Sequence, residues 1–364
     1  MAEYLEIKSL SKEYSKATGI SDISFSCSEG SFTVILGPSG AGKSTTLNII
    51  AGILQETSGE VLLKSEPLGR VPPQKRRMSM VFEDYALYPT FSVFENIASP
   101  LRVRSFSEND IKKKVISIAS MLGIEEHLDK LPSQVSGGQK QRTALARCLV
   151  RDADFYLLDE PIAHLDAKLR HRMRGEFKRI HRELGKTMIY VSHDYREALA
   201  LADNLLIFNE GRLEQSGNPQ EVFSNPKNTF VATLLGEPPM NLINYQSGSV
   251  KNACLILKNG SESTELKGVN FADIEFGRVL LGFRHFSVSI HDQVGSNRIP
   301  GFVYVWEPIE DTITYTISIG EDLVKVVTTR SEHFELNQNV YLEMDPKALY
   351  LFDAETGNRI GTRV

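Results

Sequence analysis

The sequence predicts an α/β domain with an inserted helical subdomain, followed by a small all-β barrel domain. Three observations carry this. Before residue 236, short apolar runs at 33–36, 155–158, 188–191 and 205–208 alternate with helical stretches at 44–51, 137–150 and 167–184. Runs that are apolar throughout suit strands covered on both faces, as in a parallel sheet flanked by helices. Between about 85 and 135 the alternation breaks, and 111–122 has the spacing of an amphipathic helix with no strand near it. Beyond Gly236, Pro238-Pro239 marks a boundary, and short alternating segments at 279–283, 301–306, 312–319, 323–328 and 340–343 are separated by Gly, Asn and Asp. That texture belongs to a small barrel. The expected domains are 1–236, with the helical subdomain at about 85–135, and 237–364.

The bulk numbers narrow the function classes. At 364 residues the chain has room for two domains with cores of their own. With 41% hydrophobic and 24% charged residues it is an ordinary folded protein rather than a disordered one. The 41 basic against 46 acidic residues leave a net charge of −5, without the basic excess that nucleic-acid binding calls for. Cys27, Cys148 and Cys254 are odd in number and far apart, and read as small buried hydrophobes in a reducing compartment. The N-terminus, MAEYLEIKSLSKEY, lacks the apolar core of a signal peptide. No apolar run approaches the roughly 18 residues that span a bilayer, so any membrane role is expected to be peripheral.

The strand at 33–36 leads into Gly37-Pro38-Ser39-Gly40-Ala41-Gly42-Lys43-Ser44-Thr45, which fits G-x-x-x-x-G-K-S/T between a strand and a helix. Glycines allow successive backbone N–H groups to point inward as a nest for phosphate oxygens. The next helix directs the positive end of its dipole at the same anion. Lys43 can reach the outer phosphates, and the Ser44 hydroxyl can ligate Mg²⁺. A glycine-rich turn would match these fixed positions by chance in roughly one chain of this length per hundred.

The run Phe155-Tyr156-Leu157-Leu158 ends in Asp159-Glu160. The carboxyl end of a buried strand is where doubly wound sheets bind ligands. Asp159 suits Mg²⁺, and Glu160 suits orienting or deprotonating an attacking water. The run at 188–191 is followed by Ser192-His193-Asp194, placing His193 at a third strand end as a polar contact to an outer phosphate.

A phosphate loop and an acidic strand end define only a nucleoside triphosphatase. Val135-Ser136-Gly137-Gly138-Gln139-Lys140-Gln141-Arg142 says more. It opens a helix whose apolar stripe is Ala144, Leu145, Cys148 and Leu149. Ser-Gly-Gly at a helix start makes a second anion site, and within one chain it would have no phosphate to bind.

This run resembles the signature of ATP-binding-cassette (ABC) proteins. The resemblance implies a P-loop ABC ATPase domain working as a head-to-tail dimer with ATP and Mg²⁺. Each Ser136-Gly137-Gly138-Gln139 segment would cap the nucleotide held by the other subunit's residues 39–45. By the same resemblance Tyr14 stacks on adenine, Ser44, Glu83 and Asp159 surround the Mg²⁺, and Glu160 and His193 act in hydrolysis. Asp166 belongs to the loop 160–166 that crosses the dimer interface. Residues 82–102, 209–243 and 345–360 are similar to ATPase subunits of carbohydrate-importing ABC systems, which carry a C-terminal OB-like regulatory barrel. Implied partners are transmembrane permease subunits, met through the aromatic stretch around Tyr85 and Tyr88, a second ATPase subunit and, indirectly, a solute-binding protein. The implied place is the cytoplasmic face of the cell membrane. Importers of polyamines, iron or anions use related cassettes and remain alternatives. ABC proteins of DNA repair or translation would show two cassettes or a long coiled-coil insertion, and neither is present.

Three departures from the family pattern stand out. Glu83 occupies a position usually held by glutamine, adding negative charge beside a triphosphate. Ala163 replaces a serine of the crossing loop. Gly282-Phe283-Arg284-His285-Phe286 lacks the Pro-Glu that normally follows the arginine. The first two allow a second reading, in which the chain is the catalytically weaker half of a heterodimer.

Overall fold

The computed structural model describes residues 3–14, 17–163, 165–329 and 333–361; His164 of the crossing loop lies outside them. The chain divides into two compact units, Met1–Val222 and Phe223–Val364. The second thus begins ahead of the expected junction at 236/237 and includes the helix Thr229–Leu234.

The first unit is α/β, as its apolar alternation requires. Its strands in chain order are β1 (Glu3–Tyr14), β2 (Ala17–Ser28), β3 (Phe32–Leu36), β4 (Ser58–Leu63), β5 (Glu66–Pro67), β6 (Met78–Val81), β7 (Phe155–Asp159), β8 (Thr187–Ser192), β9 (Asn204–Asn209) and β10 (Arg212–Gly217). Six form the sheet β10-β9-β3-β8-β7-β6, parallel except where β10 returns antiparallel along β9. Every residue of β3, β7 and β8 is buried, which explains why these strands read as continuous apolar runs. A second, antiparallel sheet, β2-β1-β4-β5, was not read from the sequence. The β1–β2 register slips four times, so no stretch keeps a clean alternation for long.

The register of the parallel sheet decides where chemistry can occur. Leu36 at the end of β3 lies opposite Ser192, and Asp159 at the end of β7 lies opposite Val191. The chain leaves β3, β7 and β8 at one level, and β3 is the strand from which the order runs both ways. Clefts form at such points.

Helices α1 (Lys43–Ala51), α2 (Val93–Arg102), α3 (Glu108–Met121), α4 (Gly137–Leu149), α5 (Ala167–Leu184) and α6 (Tyr195–Leu201) complete the unit. Ser92, Ser107 and Ser136 cap α2, α3 and α4 by accepting from the third helical N–H of each. α2 buries Val93, Ile97 and Leu101, and α3 buries Ile111, Val115 and Ile118, the faces that make the inserted helical layer. Among the described residues no helix is long and apolar enough to cross a membrane.

The second unit is all-β apart from its first helix and a short 3-10 turn. Its strands form antiparallel sheets around a main apolar core that includes Val250, Leu257, Val279, Phe283, Tyr315, Val326 and Leu342, with a smaller cluster at Ala232, Met240, Tyr350 and Phe352. Arg284, in the segment that departs from the family pattern, is buried here. Its guanidinium donates to the carbonyls of Ala232 (3.0 Å), Leu235 and Phe223 (3.2 Å), and stacks 4.2 Å from the Phe223 ring centroid. Burial drives its pKa down to about 10. It closes the end of the helix Thr229–Leu234, whose last carbonyls have no intrahelical donor. His285 beside it is partly buried, while Phe286 is 65% exposed.

Removing a buried donor orphans three carbonyls at once. Arg284→Met should destabilise the second unit by about 2–4 kcal/mol, seen as a lower calorimetric transition and faster amide exchange at 229–235. Unchanged exchange there would show that the cap contributes nothing.

Candidate nucleotide site at the carboxyl ends of the central strands

The loop between β3 and α1 follows its backbone requirements. Gly42 has φ of 92°, and a side chain there would come within 2.4 Å of the Ile20 Cγ2 methyl. Gly37 adopts ordinary φ, yet a Cβ on it would lie 2.3 Å from the Phe208 carbonyl oxygen. Gly42 offers α1 no side-chain cap, and the first turn carries no acid. The leading amides of α1 thus remain donors for an anion.

Lys43 is buried. Its ammonium donates to the carbonyls of Gly37 and Pro38, both at 2.9 Å, and lies 3.8 Å from a Glu160 carboxylate oxygen. Burial pulls its pKa down, while the charges of Glu160, Asp159 and Glu83 push it back up. A lysine wrapped into its own loop pre-forms the cradle and can turn outward to a phosphate.

Ser44 Oγ donates to Asp159 Oδ1 at 3.1 Å. Asp159 is only 5% exposed, and its pKa is raised to about 6. Burial is the chief cause; the Ser44 hydrogen bond opposes it, and Glu160 and Glu83 add to it. Glu160 has φ of 45°, a left-handed turn that swings its side chain off the strand. The turn is held by its N–H donating to the Val191 carbonyl at 3.2 Å. Its other oxygen lies 2.8 Å from Nδ1 of His193, a geometry in which that nitrogen donates to the carboxylate. One carboxylate therefore spans the loop lysine and the histidine.

Apart from Asp159, which is buried against Ser44, these groups share a cavity of about 590 Å³, lined by the loop residues Ser39, Gly40, Gly42, Lys43, Ser44 and Thr45 together with Gly19, Glu83, Glu160 and His193. Ala41, also expected here, is buried beneath the loop instead. Tyr14 is 47% exposed and stands behind Gly19, where any side chain would strike its ring at 2.5 Å. Gly19 had no motif to reveal it; its role is to let the Tyr14 ring lie close.

Ser136, Gly137, Gly138 and Gln139 do not line this cavity. They form a reciprocal capping box at the start of α4: Ser136 Oγ accepts from the Gln139 N–H at 3.3 Å, and Gln139 Oε1 accepts from the Ser136 N–H at 2.8 Å. Nothing lies within 4 Å of where a Gly137 side chain would stand, so the backbone at Gly137 faces open space, while the Gln139 side chain rests against His127 at 2.7 Å. Asp166 is exposed and also outside the cavity; its backbone carbonyl accepts from the Arg170 N–H at 2.8 Å.

A second cleft of about 620 Å³ lies over α2 and α4, lined in part by Phe82, Ala86, Tyr88, Val103, Arg147 and Arg151. Of the aromatic pair singled out above, Tyr88 lines it and Tyr85 does not. Tyr85 (φ 64°) and Ala86 (φ 42°) are both left-handed, and their carbonyls accept from the Arg147 guanidinium at 2.8 and 2.7 Å. Arg147, whose part here no motif reveals, binds the segment after Glu83 to α4, the helix capped by Ser136.

A family model described as "ABC transporter" matches residues 20–163. The chain is 36% identical over 360 residues to the "Sulfoquinovosyl glycerol transport ATP-binding protein SmoE" of Agrobacterium fabrum, covering 98% of this chain and 99% of that one. It is 37% identical over 357 residues to the "sn-glycerol-3-phosphate import ATP-binding protein UgpC" of Rhizobium meliloti, with the same coverage, 98% and 99%. Among solved structures it is similar to the ATP-binding cassette MJ0796 in a dimeric post-hydrolysis state with ADP and Pi. That likeness has a TM-score of 0.56 and 28% identity, and covers 59% of this chain and 98% of the other.

Asp159 supplies a pH test. An acid whose folded pKa exceeds its unfolded value is penalised when ionised, so the penalty is absent below the unfolded value near 4 and complete above about 6. In nucleotide-free protein near neutral pH, Asp159→Asn should raise stability by about 1–3 kcal/mol. The gain should shrink as pH falls from 6 to 4. A gain that stays constant across that window in thermal melts would refute the burial penalty.

Proposed function

The chain belongs to the ABC transporter family of ATP-binding subunits, and from that premise we propose that it drives an importer for sugars or polyols by ATP-dependent closure of a dimer. The observation that carries the chemistry is the meeting, in one cavity, of the phosphate loop and the Glu160–His193 pair at 2.8 Å. The relatives named for transport of glycerol derivatives match nearly end to end, which supports the solute class.

In this reading the amides of 39–45 and Lys43 bind the phosphates, and the Tyr14 ring stacks on adenine at the rim. Glu160 accepts a proton from the attacking water, and His193 holds that carboxylate in place and contacts the terminal phosphate. The residues present fit Mg²⁺: a serine hydroxyl beside a buried aspartate, with Glu83 facing the same cavity, is an all-oxygen set. Mg²⁺ characteristically takes one or two carboxylates and draws its other oxygens from water and substrate phosphates. Bound there by Ser44, Asp159 and Glu83, it would neutralise phosphate charge.

Ser136 to Gln139 lie outside the cavity, with Ser136 and Gly137 exposed at the start of α4, so we assign them to the nucleotide of a second ATPase subunit. Asp166 and the loop 160–166 then lie at that interface. Closure is stabilised because the terminal phosphate meets both surfaces only in the closed dimer, and hydrolysis removes that preference. The cleft beside Tyr88 and the Tyr85 turn is assigned to the permease subunits, which would hold the protein peripherally on the cytoplasmic face of the membrane. A solute-binding protein would act through those subunits.

Glu160→Gln should bind ATP like the parent and lower phosphate release by about 10²–10³-fold. Turnover within threefold of the parent would sink the assignment of Glu160.

Glu83 favours a second reading, in which the chain is the weaker partner in a heterodimer, because it adds a carboxylate to the wall of the cavity that the phosphate loop lines. If the site is fully active as it stands, Glu83→Gln should shift turnover and its Mg²⁺ dependence by less than about threefold. A tenfold rise would favour the weakened partner instead.

A further inference from the structure

We propose that Arg170 is a positioning residue that ties the interface loop 160–166 to the turn bearing His193, so that movement of the loop is felt at the Glu160–His193 pair. The proposal rests on the assignment of Glu160 and His193 to hydrolysis. Arg170 sits in the first turn of α5, where a cation opposes the helix dipole, so its charge is not placed there to serve that helix. Its guanidinium turns back instead. One terminal nitrogen donates to the carbonyls of Leu165 (2.9 Å) and Ala163 (3.3 Å), and the other lies 3.6 Å from the Asp194 carboxylate.

These contacts close a ring. Near Glu160, Ala163 N–H donates to the Glu160 carbonyl and Leu165 N–H to that of Ile162. The ring then reaches α5, crosses through Arg170 to Asp194, steps back one residue to His193, and returns to Glu160 through the 2.8 Å contact. The histidine side of the ring is stiff. Asp194 caps α6 by accepting from the Arg196 N–H at 2.8 Å, and its own N–H donates to Ser192 Oγ at 2.9 Å. Ser192 Oγ donates to the buried Glu197 at 2.7 Å, which also accepts from the Tyr190 hydroxyl at 2.8 Å. A turn fixed on so many sides moves as a unit or not at all. A shift of the loop carbonyls is therefore transmitted through the guanidinium to the residue adjoining His193.

The test uses the full-length chain and compares kcat, KM for ATP and thermal stability in Arg170→Ala, Arg170→Lys, Asp194→Asn and the Arg170→Ala/Asp194→Asn double variant. Asparagine keeps the helix cap while removing the charge that faces Arg170. Arg170→Ala should lower kcat about tenfold with KM within about twofold. Arg170→Lys, which can still reach Asp194, should recover part of the loss. Asp194→Asn should also lower kcat, and the double variant should be no slower than Arg170→Ala alone, as expected of two groups in one linkage. A kcat near the parent's in Arg170→Ala, a loss that lysine does not relieve, or additive losses in the double variant would overturn the tie. If Arg170→Ala does not fold, the fall in kcat of Asp194→Asn decides. Glu160→Gln, measured alongside, separates the two failures. Retained turnover there removes the hydrolytic assignment itself, whereas lost turnover with an active Arg170→Ala removes only the tie.

Discussion

The site depends on the register of three buried parallel strands. With Leu36 level with Ser192 and Asp159 level with Val191, the phosphate loop, the two acids and the histidine emerge at one height on neighbouring strands. A slip of one residue along β7 would turn Asp159 away from Ser44 and carry Glu160 out of reach of His193, because successive side chains point to opposite faces. The apolar character of β3, β7 and β8 is thus a condition for the chemistry as well as for the core. Strands covered on both sides are fixed by packing along their whole length, and side chains at their ends inherit that precision.

The charges are arranged for a guest that is itself highly charged. The buried ammonium of Lys43 is folded into its own loop, beside Glu160 and within the fields of Asp159 and Glu83. Three carboxylates against one lysine leave the cavity poorly suited to a bare polyphosphate. The loop amides and the end of α1 supply part of the missing positive potential, and a divalent cation between Asp159 and the phosphates would supply more. The raised pKa of Asp159 belongs to the same balance: its ionised form is costly where it is buried beside other carboxylates, and a cation beside it would favour that form.

Much of this was legible in the sequence for definite reasons. The phosphate loop, the acidic strand end and Ser136–Gln139 are local patterns whose spacing has a direct mechanical meaning, and the α/β fold with an all-β C-terminal unit followed from the periodicity of apolar residues. What stayed hidden depends on long-range contact. The antiparallel sheet of β1, β2, β4 and β5 escaped because register slips spoil its alternation. Gly19 looks like any turn glycine until the Tyr14 ring is seen against it. Arg147, Arg170 and Arg284 carry no sequence signal of their contacts, yet each spends its guanidinium on backbone carbonyls near a helix or loop end. No periodicity encodes such a contact, because the acceptor is a main-chain atom whose position only the fold determines.

Those arginines suggest how a rigid cassette could still transmit motion. A guanidinium with several donors can hold a short segment against a helix without a continuous apolar interface, so the segment moves with the helix. Arg147 does this for Tyr85 and Ala86, two successive left-handed residues next to the second cleft, and it does so from the helix capped by Ser136. Anything seated in that cleft would press on a segment already fastened to the helix whose backbone at Gly137 faces open space. The link from that cleft to the Ser136 end of α4 runs through Arg147 and the helix, and it does not pass through the parallel sheet. The strands that keep Asp159, Glu160 and His193 in register therefore stand apart from the clamp, which is built on the helical layer.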